Sequence, residues 1–150
     1  MSTGKTTEFL TTKMLRSYYR SGASIQRLPD RYDTGQYEDV RPSDFLIVIN
    51  RGLAKGSNTF FLECKETATP KTSFSIAGTF RKGQIQGMVR AAQLGLPYFV
   101  VFNILSTKEI YLVPAIEILK CLNDSKKSIS FEIIKTHPWV TGALHDYYLK

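Results

Sequence analysis

The spacing of apolar residues changes along the chain from a helical period to a strand-like one. Residues 7–20 place apolar side chains three or four positions apart, which predicts an amphipathic helix that ends at Ser21-Gly22. A short extended segment from Ala23 to Leu28 then leads into a polar loop rich in turn-forming residues, from Pro29 to Pro42. The predicted apolar face of the helix consists of Phe9, Leu10, Met14, Leu15 and Tyr18.

Two apolar runs follow, and both have the length of strands. Asp44–Asn50 and Thr59–Glu66 are nearly continuous in apolar residues at their centres, as in a sheet that is covered on both faces. The segment Gly52–Asn58 between them contains two glycines. The two runs are therefore predicted to pair as a hairpin.

The next predicted element is a second helix. It covers residues 80–94 and follows a loop at residues 69–73. Its apolar side chains again recur at the helical period, so one face should pack against the sheet. That face is predicted to consist of Ile85, Met88, Val89 and Ala92.

The rest of the chain continues the alternation of strands and helices. Pro97–Ile104 and Glu109–Val113 predict a third and a fourth strand, Pro114 suits the first turn of a short helix that runs to about Leu122, and Ser128–Ile134 predicts an edge strand. The last fifteen residues show no clear pattern. This order implies one α/β domain over residues 1–150, with a central mixed sheet flanked by helices.

Composition supports a folded domain and excludes several classes of protein. With 43% apolar and 22% charged residues in 150, the chain can bury a core without disulfides. No run approaches the roughly 20 apolar residues of a membrane span, and the N-terminus lacks the apolar core of a secretory signal, so we expect a cytoplasmic protein without a membrane partner. Cys64 and Cys121 are far apart and distant from both histidines, so no structural zinc site is predicted.

Positive charge is concentrated in the first part of the chain. The formal net charge is +7, and residues 1–90 hold 14 Lys and Arg against 8 Asp and Glu, compared with 6 against 5 in residues 91–150. Such an excess is typical of proteins that bind polyanions, although many basic proteins bind nothing anionic. Charge alone leaves the question of a nucleic-acid partner open.

Charged residues interrupt the two apolar runs at positions suited to metal-dependent hydrolysis. Glu63 and Lys65 are two apart in a strand and therefore share a face, and pairing of the runs would bring Asp44 beside them. The two carboxylates would supply the oxygen ligands that Mg²⁺ prefers, and the carbonyl of Cys64 offers a further ligand. Lys65 would orient the attacking water or stabilise an anionic transition state.

The spacing alone also permits a plainer interpretation. Glu-x-Lys is short enough to occur by chance in a chain of this length, and most such pairs are surface ion pairs on a strand. Against this, Glu63 and Lys65 continue the apolar run Phe60-Phe61-Leu62, where charges without partners are costly. Both interpretations remain open on these residues alone.

The surrounding segments are more specific than the pattern itself. Asp44 with Glu63-x-Lys65 resembles the PD-(D/E)xK nuclease signature. The chain is also similar to the RecU family of Holliday junction resolvases, because three of that family's segments occur here in the same order. These are Glu63-Cys64-Lys65-Glu66-Thr67, Lys71-Thr72-Ser73-Phe74 and Gln84-Ile85, and the similarity continues through Tyr98–Phe102 and Ile110–Pro114.

The resemblance implies a restriction-endonuclease-like fold and a homodimer that makes paired, metal-dependent nicks in four-way DNA junctions during recombination and repair. It implies Mg²⁺ or Mn²⁺ bound by Asp44 and Glu63, with Lys65 as the catalytic lysine and Gln84 supporting the site. It also favours DNA phosphate contacts, over a merely solvated loop and helix start, for Lys71, Thr72, Ser73, Arg81 and Lys82.

The chain departs from the RecU pattern at two places. The loop from Gln26 to Ser43 is shorter than the insertion with which RecU proteins enter the junction centre, and Gly83 stands where the family commonly has His. The short loop is compatible with a phage-encoded version. Two alternatives therefore stay open: a PD-(D/E)xK nuclease that acts on flaps, mismatches or duplex DNA, and a catalytically inactive junction-binding protein.

The first helix carries charges whose role the sequence leaves undecided. Glu8 either matches an acidic residue that nucleases of this fold often carry on the first helix or occupies a solvated helix position. Lys13, Arg16 and Arg20 form either a stripe that faces DNA or a solvated face.

Overall fold

The apolar runs of the sequence become the strands of one five-stranded sheet. The computed structural model describes residues 5–19, 22–28, 42–50 and 57–139. In chain order the elements are α1 (Lys5–Tyr19), β1 (Ala23–Arg27), β2 (Phe45–Asn50), β3 (Ser57–Thr67), β4 (Ser73–Ser75), α2 (Ile76–Thr79), α3 (Lys82–Leu94), β5 (Tyr98–Ile104), β6 (Glu109–Pro114), α4 (Ala115–Asn123), β7 (Ser128–Ser130) and α5 (Phe131–Lys135).

The sheet has the order β1-β2-β3-β5-β6 and is mixed. Strands β1, β2 and β3 run antiparallel, β3 and β5 run parallel, and β6 returns antiparallel to β5. The parallel pair requires a crossover, which α3 supplies, because a strand cannot enter its neighbour in the same direction through a tight turn. The prediction of an α/β domain with a central mixed sheet flanked by helices is confirmed.

Each face of the sheet has its own apolar core, because successive side chains of a strand point to opposite faces. One core contains Leu15 of α1 with Leu62 and Cys64 of β3. The other contains Met88 of α3 and Ile118 of α4. Glu63 and Lys65 alternate with Leu62 and Cys64 along β3, so they lie on the face covered by α3 and α4.

The buried face of α1 differs from the predicted one. Thr7, Thr11 and Leu15 are buried against the sheet, whereas Phe9 is 74% exposed. The prediction that Phe9 belongs to the core face is therefore wrong. The small threonines fit because Glu66 and Cys64 of β3 supply hydrogen-bonding partners to this face, at Thr7 and Thr11 respectively.

The buried face of α3 is likewise rotated from the predicted one. Gln84, Met88 and Ala91 are buried, while Val89 is 40% exposed and Ala92 is also exposed. The amphipathic pattern selected the apolar side chains, but Gln84 is the residue whose polar groups find partners in the sheet. The predicted face is therefore confirmed for Met88, which is buried, and for Ile85, which packs against the same core, and is wrong for Val89 and Ala92.

The predicted edge strand at Ser128–Ile134 is wrong in its second half. Only Ser128–Ser130 is a strand, and it pairs with β4 in a separate two-stranded sheet. Helix α5 begins at Phe131 instead, and the hydroxyl of the preceding Ser130 accepts a hydrogen bond from the backbone N–H of Glu132, a role typical of an N-cap serine. Ser73, predicted in a loop, lies in β4.

Several sequence predictions concern residues outside the described ranges. These include Arg20, most of the loops at residues 29–42 and 52–58, and the last eleven residues. Within the described residues, no helix is both long and apolar enough to cross a membrane.

A close backbone approach fixes where the loop before β2 meets α3. A Cβ atom built on Gly87 would lie 2.7 Å from the Cβ of Pro42 and 2.9 Å from its carbonyl oxygen. Only a residue without a side chain fits there. Glycine inside a helix lowers stability by about 1 kcal/mol relative to alanine. The close contact with Pro42 offsets this loss of stability.

We predict that Gly87→Ala destabilises the protein by about 1–3 kcal/mol, because overpacking against Pro42 outweighs the gain in helix propensity. The free energy of unfolding in urea measures this effect. Gly22→Ala is the matched control, because a Cβ at Gly22 meets nothing within 4 Å. An unchanged or increased stability of Gly87→Ala would contradict the close approach.

Candidate active site

Asp44 and Glu63 meet where the pairing of β2 and β3 ends. The last paired residues are Phe45 and Leu62, so the next position on each strand brings these two carboxylates to the same face. The backbone N–H of Asp44 donates to Glu63 Oε2 at 3.0 Å, and the N–H of Cys64 donates to Asp44 Oδ2 at 2.8 Å. Asp44 is 3% exposed and Glu63 is 1% exposed. Two buried carboxylates therefore lie side by side beside the central strand, where the pairing of β2 with β3 ends.

Lys65 adds a cation to this pair. Its Nζ lies 3.1 Å from Glu63 Oε1 and donates to Gln84 Oε1 at 3.2 Å. The ammonium also stands 5.5 Å from the centre of the Phe80 ring, a cation–π distance. The side chain is 14% exposed, so it borders both the core and solvent.

Gln84 connects the lysine and the glutamate from the first turn of α3. Its Oε1 accepts from the backbone N–H of Arg81 at 2.9 Å as well as from Lys65, and its Nε2 donates to Glu63 Oε1 at 2.7 Å. Because the oxygen faces two donors, the amide nitrogen must face the carboxylate. Gln84 therefore fixes the orientation of both charged groups.

The segment before Asp44 is held by contacts that the apolar pattern did not predict. The hydroxyl of Tyr98 on β5 donates to the carbonyl of Pro42, and Gly87 of α3 packs against the same proline. The Ser43 hydroxyl donates to the carbonyl of Phe45 at 2.8 Å. A glycine in the middle of a predicted helix was the one available signal, since it marks a position of close approach.

The oxygen donors fit a hard divalent cation. Among the residues that the structure describes, no cluster of three or more His, Cys, Asp or Glu side chains could hold a metal. Mg²⁺, however, commonly takes one or two carboxylates and completes its shell with water and substrate phosphate. The N–H of Cys64 points toward Asp44, and in a strand the carbonyl of the same residue points to the same side. The carbonyl of Cys64 and the carboxylates of Asp44 and Glu63 could therefore serve one ion.

The residues predicted to contact DNA lie in and just before β4 and at the start of α3. All five side chains are exposed; Arg81 is the residue before α3 and Lys82 is its first residue. Lys71 lies 5.8 Å from the ring centre of Phe74. The backbone of Arg81 contacts Gln84, so its side chain begins beside the site. Phosphate contact by Lys71, Thr72, Ser73, Arg81 and Lys82 stays a prediction.

Glu8 is not the solvated helix residue that one alternative required. Its side chain is 13% exposed, and its Oε2 lies 3.3 Å from Nε of Arg27 on β1. Its charge is also close enough to raise the pKa of Cys64. A role for Glu8 in metal binding stays a prediction.

Glu66 was part of the recognised motif without an assigned role. It is 6% exposed, and its Oε1 accepts from the backbone N–H and the hydroxyl of Thr7, at 3.2 and 3.1 Å. Asn103 of β5 donates to the same threonine hydroxyl at 3.2 Å. This network attaches the start of α1 to the strand that carries Glu63 and Lys65.

The mixed sheet and its flanking helices form a restriction-endonuclease-like fold. The structure is similar to that of Hjc, a Holliday junction resolvase from the archaeal hyperthermophile Archaeoglobus fulgidus, with a TM-score of 0.57 over 93% of this chain and 99% of that one. The two sequences are 10% identical. The chain therefore has the fold of a junction-resolving nuclease.

Sequence comparison adds nothing to this structural likeness. No family model matches the chain, and no curated protein matches it. The likeness to Hjc consequently establishes the fold and leaves the activity to be argued from the site.

The environment of Cys64 gives a prediction for stability. Burial first, and then the charge of Asp44, raise the pKa of this thiol well above its usual value of 9.0. The unfolded chain ionises as the pH rises past about 9 while the folded thiol stays protonated, so the free energy of unfolding should fall there, by up to about 1.4 kcal/mol per pH unit. Denaturant titrations between pH about 8 and 10 measure the slope, and Cys64→Ala should make it shallower. An identical slope in the variant would contradict the assignment.

Proposed function

We propose that this protein is a metal-dependent endodeoxyribonuclease that resolves four-way DNA junctions. The observation that carries the proposal is the convergence of Asp44, Glu63 and Lys65 where the pairing of β2 with the central strand β3 ends, with Gln84 bridging Glu63 and Lys65. The fold, which is that of a Holliday junction resolvase, supports the same assignment.

The donor set suits phosphodiester hydrolysis. A bound Mg²⁺ or Mn²⁺ would acidify a water molecule and neutralise charge that develops on the phosphate. Asp44 and Glu63 would hold the ion, with the carbonyl of Cys64 as a further ligand. The hydrogen bond from the Cys64 N–H and that from the Asp44 N–H keep both carboxylates in place, so the site would be preorganised for an ion before DNA arrives.

Lys65 acts on the reacting groups in this proposal. An ammonium has three N–H donors, and the contacts with Glu63 and Gln84 use two of them. The third can donate to a phosphate oxygen or to the attacking water. Because the two contacts fix the position of the nitrogen, the lysine would need little rearrangement to stabilise a pentavalent, more highly charged phosphate.

Branched DNA is the substrate that the combined observations favour. The net charge of +7 suits a polyanionic partner, and the segments shared with RecU proteins point to four-way junctions, in recombination and repair. We further propose a homodimer in the cytoplasm, because two equivalent sites related by a two-fold axis suit a junction that is cut on two opposed strands. A nuclease acting on flaps, mismatches or duplex DNA is the principal alternative, and an inactive junction-binding protein is the other.

We predict that the protein nicks a labelled four-way junction at paired, symmetric positions only when Mg²⁺ or Mn²⁺ is present. Asp44→Asn should lower the cleavage rate at least about a hundredfold, because it removes a metal ligand, and losses of even supporting residues cost 10- to 100-fold. Asp124→Asn is the matched control: this aspartate follows α4 on an exposed turn. Single-turnover gels on junction, flap and linear duplex measure the rates.

Each alternative gives a different result in the same assay. Equal cutting of flaps or duplex would contradict junction selectivity and favour the broader nuclease. Binding of the junction without any metal-dependent cleavage would exclude the enzyme and favour the junction-binding protein.

We also predict that Gln84→Met lowers the cleavage rate about 10- to 100-fold, because the isosteric side chain removes the hydrogen bonds to Glu63 and Lys65. The optimal metal concentration should rise as well, since the carboxylate loses its orientation. Gln93→Met, at an exposed position near the other end of α3, is the control. A wild-type rate and metal dependence in Gln84→Met would show that the bridge does not support catalysis.

A further inference from the structure

A groove of about 510 Å³ lies between α1 and the edge of the sheet at β1. It lies on the opposite face of the sheet from Glu63 and Lys65, because α1 covers that face. Its lining includes three cations and one carboxylate beside two aromatic rings: Lys5, Arg16, Arg27, Glu8, Phe9 and Phe45.

Phe9 is the unusual residue of this groove. Its side chain is 74% exposed, the most exposed of the large apolar side chains in the described residues. Helix α1 does not need it for packing, because Thr7, Thr11 and Leu15 form the buried face. A large ring held on a helix and presented to solvent is available to stack on another planar group.

Positive charges flank the ring at helical spacing. Lys5 and Lys13 are one turn before and one turn after Phe9, and Arg16 lies a further turn along the same side. On the sheet side Arg27 faces the groove, with its charge partly balanced by Glu8 at 3.3 Å. The arrangement of a ring between cations complements a planar base between phosphates.

The groove and the candidate active site are neighbours along β2, on opposite faces of the sheet. Phe45 lines the groove and directly follows Asp44 in the chain. The backbone N–H of Leu28, next to Arg27, donates to the carbonyl of Asp44 at 2.8 Å. Nucleotides in the groove would therefore be separated from the carboxylates by the sheet, so the groove would serve to bind DNA beside the cleaved position.

We propose that this groove binds unpaired nucleotides, with Phe9 stacking on a base and the surrounding cations holding the adjacent phosphates. Base stacking on an aromatic side chain together with a basic groove is the general mode of single-strand binding. A fully paired duplex keeps its bases stacked inside and cannot engage the ring. The inference rests on the proposed function and deepens it: the enzyme would recognise branch points by their unstacked bases.

A nucleic acid fits the groove better than a second copy of the chain. Two copies meeting here would bring Lys5, Lys13 and Arg16 of each against the same cations of the other, and repulsion would oppose the contact. The phosphates of a nucleic acid, by contrast, would be attracted to these cations.

Binding of fluorescein-labelled oligothymidine and of a fully paired, blunt-ended duplex, measured by anisotropy without divalent metal, tests the proposal. Phe9→Ala should weaken oligothymidine binding roughly tenfold, the size expected for one stacked base, and change duplex binding less than about twofold. Phe9→Trp, which keeps an aromatic ring at this position, should bind oligothymidine with the wild-type affinity. Leu94→Ala, which removes another exposed side chain at the far end of α3 (62% exposed), should bind as the wild type does. Thermal unfolding checks that every variant is folded.

Three results would overturn the proposal: unchanged oligothymidine binding by Phe9→Ala, an equal loss on both probes, or a change in oligomeric state on sedimentation, which would make Phe9 a contact between copies. The proposed nuclease activity fails separately. If the wild-type protein binds oligothymidine through Phe9 but cuts no junction, the groove proposal is supported and the nuclease proposal is contradicted. If the wild-type protein cuts junctions but Phe9→Ala binds oligothymidine as tightly as the wild type, the nuclease proposal is supported and the groove proposal is contradicted.

Discussion

The carboxylate of Glu63 is a charge placed inside the sheet, and the surrounding structure is organised to satisfy it. At 1% exposure an unpaired carboxylate would cost several kcal/mol. Its partners come from three elements: the N–H of Asp44 before β2, the amide of Gln84 in α3, and the ammonium of Lys65 in β3 itself. The same contacts that make the charge tolerable therefore fix the relative positions of a loop, a helix and a strand. The contacts that stabilise the buried charge are thus the same contacts that determine the geometry of the site.

The opposite face of β3 repeats the arrangement with a different purpose. Glu66 is also buried, but its partners are the N–H and hydroxyl of Thr7, with Asn103 completing the network. These donors carry no formal charge and belong to the start of α1. The carboxylate of Glu66 thus attaches a helix to the sheet. The carboxylate of Glu63, on the opposite face of the strand, lies among charged groups. Alternation along a single strand separates a structural acid from a candidate catalytic one.

The sequence allowed much of this to be predicted, because nearly continuous apolar runs of strand length identify β2, β3 and β5 directly. Pairing of the first two placed Asp44 beside Glu63 and Lys65. The helices were harder, since their buried faces follow hydrogen-bond partners that only the fold supplies: Gln84 is buried where Val89 was expected, and Thr11 where Phe9 was. The short pairing of β4 with β7 could not be predicted, because three-residue strands leave no periodic signal and their partner lies more than fifty residues away.

The distribution of charge explains why a basic protein would hold an acidic centre. Asp44 and Glu63 outnumber Lys65, so the site on its own would repel a phosphate, while the chain as a whole, at +7, attracts one. A divalent cation at the carboxylates would reverse the local sign without altering the fold, since the hydrogen bonds from Cys64 and Gln84 already hold the ligands. The attraction of DNA to the protein surface and the binding of the scissile phosphate at the site would then depend on different groups. The first depends on exposed lysines and arginines and weakens with salt, whereas the second depends on buried oxygen atoms and on the ion that they hold.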